Sequence, residues 1–192
     1  MENKASLRQQ YKKLRATLSS AEREQASQTI TNEVIGWLQE QVTSYKQLGF
    51  YLNKSEEVAT AKLIDWALAN NYEVFLPISN VENKNLTFLK VTAKWREEIT
   101  ENPVLKIWEP KPTNLKLKGS LDVIFMPLLV FDQKLNRIGW GKGYYDFYLS
   151  FAEKQPLKVG LAFQKQFSAL PIKSEPHDQK LNLVFTEKAV YC

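Results

Sequence analysis

A chain of 192 residues, 44% hydrophobic and 24% charged, is long enough to bury a full core and too apolar to stay disordered. Its longest apolar run, 123–131, is broken by Pro127 and stops at Asp132, which excludes a membrane span. The single Cys192 and single His177 exclude an internal disulfide, a cysteine metal cluster and a multi-histidine metal site. The net charge of +5, spread along the chain, suits an anionic small molecule and a nucleic acid equally.

The first fifteen residues, MENKASLRQQYKKLR, carry basic side chains with no apolar core after them, so the expected address is the cytoplasm. From Lys4 to about Leu18, the spacing of Leu7, Tyr11, Leu14 and Leu18 predicts one apolar helix face, with Lys4, Arg8 and Lys12 on the other. A second helix is expected to start at SSAERE, capped by Ser19 or Ser20. Read from Ser20, the position three residues on is Arg23, so the carboxylate of a full capping box is missing; this helix should run to about Gln41.

YKQLGFYLN reads as a buried strand, TAKLIDWALANN as a helix stopped at Asn70 and Asn71, and YEVFLPIS as the next strand, a βαβ unit with parallel strands. Residues 80–120 alternate short extended pieces, LTFLKV and KIWEP, with polar connections, and look like an excursion from the core. LDVIFMPLLVF reads as one strongly apolar strand, DQKLN as a turn and YYDFYLSFAEK as a helix. LKVGLAF and LNLVFT complete the sheet. The expected architecture is α/β: one domain over 1–192, a three-layer open sheet with a largely parallel core and helices on both faces.

Between the DQKLN turn and that helix lies RIGWGKGYYD. It holds three of the chain's seven glycines, Gly139, Gly141 and Gly143, with Arg137 and Lys142 around them. Ligands of open α/β sheets sit beyond the carboxyl ends of the strands, and glycines there can aim backbone N–H groups at an anion. The segment is neither a Walker loop nor a dinucleotide fingerprint. From the residues alone, phosphate binding and a tight structural turn stay open in equal measure.

Arg137 and Lys142 suit phosphate charge, and Asp146 suits magnesium as a hard oxygen ligand. Lys4 and Arg8, four apart, can meet one polyphosphate or form a solvated basic face. In SEEVAT, Glu57 can accept from an N–H-rich ring or simply favour a helix N-terminus. Asp178 and His177 are as well read as turn and surface residues. Tyr144, Tyr145, Trp108 and Trp140 suit ligand stacking or packing, while Phe147, Tyr148 and Phe151 read as core. A nucleic-acid module would use the same charges, but no RRM or KH signature is present.

Taken in order, KASLR, SEEVAT, VIFMPLLVFD, NRIGWGKGYYD and EPHD resemble the 5-formyltetrahydrofolate cyclo-ligase family over nearly the whole chain. The resemblance implies an open α/β fold and a reaction in which ATP and magnesium convert 5-formyltetrahydrofolate to 5,10-methenyltetrahydrofolate, releasing ADP and phosphate. It implies nucleotide contacts at Lys4 and Arg8 and an ATP loop of Arg137, Ile138, Gly139, Trp140, Gly141, Lys142, Gly143, Tyr144 and Tyr145. Within that loop Arg137 and Lys142 serve the transfer itself. Leu52 and Glu57 match folate positions, Tyr144 borders both ligands, and Asp146 and Asp178 match the magnesium acids. The partners implied are small molecules, with no nucleic acid and no membrane. Trp140 stands where a basic or small residue is common in the family, Ala59 where an acid or amide is, and 80–115 matches poorly.

Overall fold

Along the strand Val123–Pro127, Val123 and Phe125 pack into one apolar cluster and Ile124 and Met126 into another, and all four are fully buried. Period-two alternation with both faces covered marks the middle of a sheet that lies between two layers. The computed structural model describes residues 3–41 and 45–192.

The chain opens with helices α1 (Lys4–Ala16) and α2 (Ser20–Glu40), then strand β1 (Gln47–Gly49) and helix α3 (Ala61–Ala69). Strands β2 (Glu73–Asn80), β3 (Asn85–Val91), β4 (Ile99–Glu101), β5 (Trp108–Pro110), β6 (Val123–Pro127), β7 (Val130–Asp132) and β8 (Arg137–Ile138) precede helix α4 (Tyr144–Ser150). Strand β9 (Leu157–Leu161), a 3-10 turn, and strands β10 (Phe167–Ser168), β11 (Leu183–Phe185) and β12 (Val190–Tyr191) follow.

The main sheet has the order β12-β11-β9-β6-β1-β2-β3. Its five inner strands run parallel, and β3 and β12 close the two edges antiparallel. On one face α2 and α3 bury Ile30, Val34, Leu38, Leu63 and Ile64 against Leu48, Val74, Val123 and Phe125. On the other, Leu149 of α4 joins Phe75, Phe88, Ile124, Met126 and Val184. The expected α/β layering with a largely parallel core is what the chain adopts.

Three features depart from the sequence pattern. LDVIFMPLLVF is two strands: β6 stays in the main sheet, and after Pro127 the chain crosses into a second sheet of order β10-β7-β8. Every residue from Val123 to Met126 and from Leu128 to Phe131 is buried on either side of the break, so apolarity could not reveal it. The 80–120 region is also more integral than an excursion, since β3 pairs with β2 over seven positions through a turn at Lys84, φ 55°.

The third departure lies in α1. Its buried side is Tyr11 and Arg15, with Leu7 partly covered, against Val130, Ile138 and Ile172, while Leu14 is exposed. Leu7 and Tyr11 lie on the expected face, and only Leu14 gives way, to Arg15, because a hydrophobic template cannot select an arginine for burial.

The N-terminus of α2 is tighter than expected from Ser20. Ser19 is the N-cap: its hydroxyl accepts from the Glu22 N–H, and the Glu22 carboxylate accepts from the Ser19 N–H at 2.7 Å, a full capping box. Ser19→Ala is expected to cost about 1 kcal/mol, seen as a fall in Tm of about 2–4 °C in a thermal melt.

Candidate functional site

Asp132 organises the approach to the glycine segment. Only 1% exposed, it accepts from the backbone N–H groups of Lys134, Asn136 and Ile172 and from the Asn136 side chain, at 2.7–3.0 Å. These bonds tie the 132–136 turn, in which Leu135 takes φ 60°, to the 172 segment, and they deliver Arg137 into β8. A buried carboxylate so fully bonded acts as a structural bolt.

The loop beyond β8 needs two of its glycines for identifiable reasons. Gly141 has φ +93°, and a Cβ there would lie 3.0 Å from the Arg8 guanidinium carbon; Gly143, at φ +75°, is the residue before α4. Arg8 Nε donates to the Gly139 carbonyl at 3.0 Å, which fastens α1 to the loop. Among the described residues, the backbone N–H groups of 140–143 donate to no protein acceptor. Four consecutive free donors beside arginine and lysine form an anion-receptive stretch.

That stretch is one wall of a cavity of about 820 Å³. The cavity lies beyond the carboxyl ends of β1, β2 and β6, marked by Leu52, Ser79 and Pro127, which is where a parallel sheet places its ligands. Lys4 and Arg8, Leu52 and Glu57, all of 137–146, and Asp178 line it together. Residues spread over the whole chain thus converge on one space. Seven basic side chains line the walls against four carboxylates, so the cavity favours an anion. Pro77, Leu86, Leu105, Ile107, Trp108 and Phe147 add apolar wall to the same cavity.

Within the cavity the charged groups are paired with one another. Arg137, with a side chain 5% exposed, donates from Nη2 to Asp146 Oδ1 at 2.8 Å, and its Nε has no partner among the described residues. Lys4 lies between Glu175 and Asp178, 2.8 and 2.7 Å away. Burial opposes charge on both Lys4 and Asp178, yet their hydrogen-bonded pairing outweighs it, holding the Lys4 ammonium above its usual value and the Asp178 carboxyl below. The Gln179 N–H donates to Asp146 Oδ1 at 3.0 Å, which sets the Asp178 segment beside Asp146. Lys142 is exposed on the loop.

Magnesium fits this corner chemically. The donors at Asp146 and Asp178 are hard carboxylate oxygens beside an anion-receptive loop, and a cation, the Lys4 ammonium, already lies against Asp178.

Glu57 is 7% exposed and does not cap α3. Its Oε2 accepts from the Lys54 N–H at 2.8 Å and its Oε1 from the Trp140 indole Nε1 at 2.7 Å. Near it, burial pushes the phenols of Tyr145 and Tyr51 well up, and the Glu57 charge adds to the shift. Ile138 packs its side chain with Tyr11, Val130 and Ile172. Tyr144, Tyr145 and Tyr148 pack against the core under α4, while Phe147 and Phe151, expected in the core, are exposed, at 39% and 72%.

The sequence pattern missed Lys54, Lys84 and Arg15 in or behind this site. Lys12 was visible as the third member of the 4, 8, 12 series, and it lines the cavity. Nothing local marks Lys54 or Lys84, which reach the cavity from loops, or Arg15, which burial alone distinguishes.

A model of the 5-formyltetrahydrofolate cyclo-ligase family matches residues 1–187. The 5-formyltetrahydrofolate cyclo-ligase of Haemophilus influenzae is 32% identical over 168 residues, covering 83% of this chain and 85% of that protein. The Mus musculus 5-formyltetrahydrofolate cyclo-ligase is 30% identical over 192 residues, with 96% and 93% covered. The NMR structure of Aquifex aeolicus 5,10-methenyltetrahydrofolate synthetase shares the fold with a TM-score of 0.80 at 27% identity, over 98% of this chain and 91% of that one. A 5,10-methenyltetrahydrofolate synthetase from Mycoplasma pneumoniae, 22% identical, shares the fold with a TM-score of 0.78 over 97% and 99%. With the family match running through every element that builds the cavity, this chain belongs to the 5-formyltetrahydrofolate cyclo-ligase family.

Proposed function

We propose that this protein uses ATP to convert 5-formyltetrahydrofolate to 5,10-methenyltetrahydrofolate, releasing ADP and phosphate, as one domain spanning 1–192 in the cytoplasm. The observation that carries the reading is the make-up of one cavity. Among the described residues, four backbone N–H groups with no protein acceptor lie in the loop that carries Lys142 and follows Arg137, with Arg8 bonded to it, and the same cavity is lined by Glu57 and by apolar side chains.

The formyl group on the ring nitrogen is amide-like, and its oxygen is a poor leaving group. Attack of that oxygen on the terminal phosphorus forms an O–P bond and breaks the bond to ADP. Attack of the neighbouring folate nitrogen on the formyl carbon then closes the ring, and the C–O bond breaks with phosphate as leaving group. Neither step needs a protein nucleophile; both need positioning and charge stabilisation.

The loop N–H groups of 140–143, with Arg137 and Lys142, hold the triphosphate and stabilise charge on the transferring group. Lys4 and Arg8 take the rest of the nucleotide from α1. Asp146 and Asp178 would hold magnesium, which when bound supplies positive charge to the phosphate oxygens. Glu57 receives the N–H-rich edge of the folate ring, Leu52 and Tyr144 flank it, and the apolar wall excludes water from the reacting group.

The test is direct. Purified protein is incubated with 5-formyltetrahydrofolate and magnesium-ATP while the absorbance of the methenyl product is followed. Folded protein that gives no ATP-dependent rise sinks the proposal.

Lys142→Ala is expected to lower kcat/KM for ATP by about tenfold to a hundredfold, below the 10²–10³-fold typical of a buried anion-stabilising donor because Lys142 is exposed. Its Tm should stay within about 2 °C of the parent, since surface substitutions away from packed features change stability by under about 0.5 kcal/mol. Steady-state kinetics with ATP varied, paired with a melt, checks both.

A further inference from the structure

Trp140 does something that the composition of an ATP loop does not require: its side chain lies against the carboxylate assigned to folate. We infer that Trp140 is a displaceable cover on Glu57, a positioning residue that sets how readily the folate ring gains that carboxylate. This rests on the reading of Glu57 as the acceptor for the N–H-rich edge of the ring.

The geometry comes from both sides of the contact. The Trp140 indole Nε1 donates to Glu57 Oε1 at 2.7 Å, while the Lys54 N–H occupies Oε2 at 2.8 Å. A paired N–H and NH₂ edge reads a carboxylate through both oxygens, each offering an open lone pair. Glu57 is 7% exposed, so with the indole in place that edge has no free approach to the pair. The Lys54 bond is part of a tight backbone turn, in which the Glu57 N–H also donates to the Lys54 carbonyl at 3.0 Å. Of the two partners, the indole is the one able to leave.

The hold on the indole has the same character. Trp140 sits between Gly139 and Gly141, and its own N–H is among those that donate to no protein acceptor. What retains the ring is side-chain contact: the bond to Glu57, and the cations of Lys54, Lys12 and Arg15 at 4.6, 4.7 and 5.1 Å from its centroid. Lys12 and Lys54 both line the cavity on long flexible stems. Two of the three cations on the Trp140 ring are thus movable, Arg15 being the buried one behind it, and the backbone on either side is glycine. The folate edge replaces the indole N–H at Glu57 with donors of the same kind, so displacement keeps the carboxylate bonded throughout.

Trp140→Phe removes the N–H and keeps an aromatic face for the three cations. It is expected to tighten binding of 5-formyltetrahydrofolate, measured by calorimetry without ATP, and to lower its KM, each about fivefold. Because the Trp140 backbone N–H assigned to the triphosphate stays in place, the KM for ATP should move less than the KM for folate and not in the same direction, a split that a general loss of structure would not produce. Trp140→Leu, which also removes the aromatic face, should tighten folate binding at least as much. It keeps the inference testable if the first variant melts early.

Folate binding by folded variants that is unchanged or weaker overturns the cover, and a weaker value would mean that the indole steadies Glu57 for the ligand. Glu57→Gln, made in the parent and in Trp140→Phe, separates this from the underlying reading. If Glu57→Gln leaves folate affinity unmoved in both, Glu57 is not the folate acceptor and both ideas fall. If it weakens binding in both while Trp140→Phe fails to tighten it, only the cover falls.

Discussion

Asp146→Ala is expected to lower turnover by about 10²–10³-fold, the scale lost when a charge that organises a phosphoryl-transfer site is removed. The same change leaves Arg137, 5% exposed and with its Nε already without a partner among the described residues, without the carboxylate it pairs with at 2.8 Å. Stranding one partner of a buried pair costs about 3–5 kcal/mol, so the alanine variant should also melt earlier. Asp146→Asn separates the two effects. Its amide oxygen can still accept from Arg137 Nη2 and the Gln179 N–H while the charge is gone. The asparagine variant should therefore stay near the parent in Tm, lose most of the rate, and need more magnesium to reach half its maximal rate. A magnesium titration of initial velocity reads this, and an asparagine variant with the parent's kcat and magnesium requirement would remove Asp146 from the metal role.

The second large effect is on stability. Asp132→Ala strands the buried N–H groups of Asn136 and Ile172 and the Asn136 amide, and each unsatisfied donor costs about 1–3 kcal/mol. Allowing for water entry into the space left, the total should be about 3–4 kcal/mol, a fall in Tm of about 6–16 °C for a chain of this size. Asp132→Asn should fall between, because its NH₂ cannot accept from the two donors that one carboxylate oxygen now serves. The loss reaches the site as well, since Asp132 fixes the turn from which Arg137 emerges. A thermal melt within about 2 °C of the parent would show that the four bonds are replaceable.

The basic series on α1 and the glycine loop were visible in the sequence because both are signals carried within about ten residues. Side chains four apart share a helix face, so Lys4, Arg8 and Lys12 arrive at the cavity together. Positive φ at Gly141 and Gly143 needs glycine whatever surrounds it. The Ser19–Glu22 capping box was equally local and was missed only by reading from Ser20.

The pairings inside the cavity were not legible. Trp140 and Glu57 are 83 positions apart and Lys4 and Asp178 are 174 apart, and each residue taken alone has an ordinary explanation. Arg15 is stranger still, an arginine fully buried behind the Trp140 ring whose Nε and Nη1 meet no partner among the described residues.

The order of residues by itself determined an α/β sheet with a parallel centre, a glycine loop at its rim and a basic face on the first helix. Each of these follows from spacing within one element, where backbone geometry converts sequence distance directly into direction. Only the packed molecule decided that the arginine of the loop grips Asp146, that the first lysine holds Asp178, and that an indole lies across Glu57. Those contacts depend on how α1 rests on the small β10-β7-β8 sheet and how the loops after β1 and β8 meet. That arrangement is settled by the joint burial of residues from remote segments, and no local repeat encodes it.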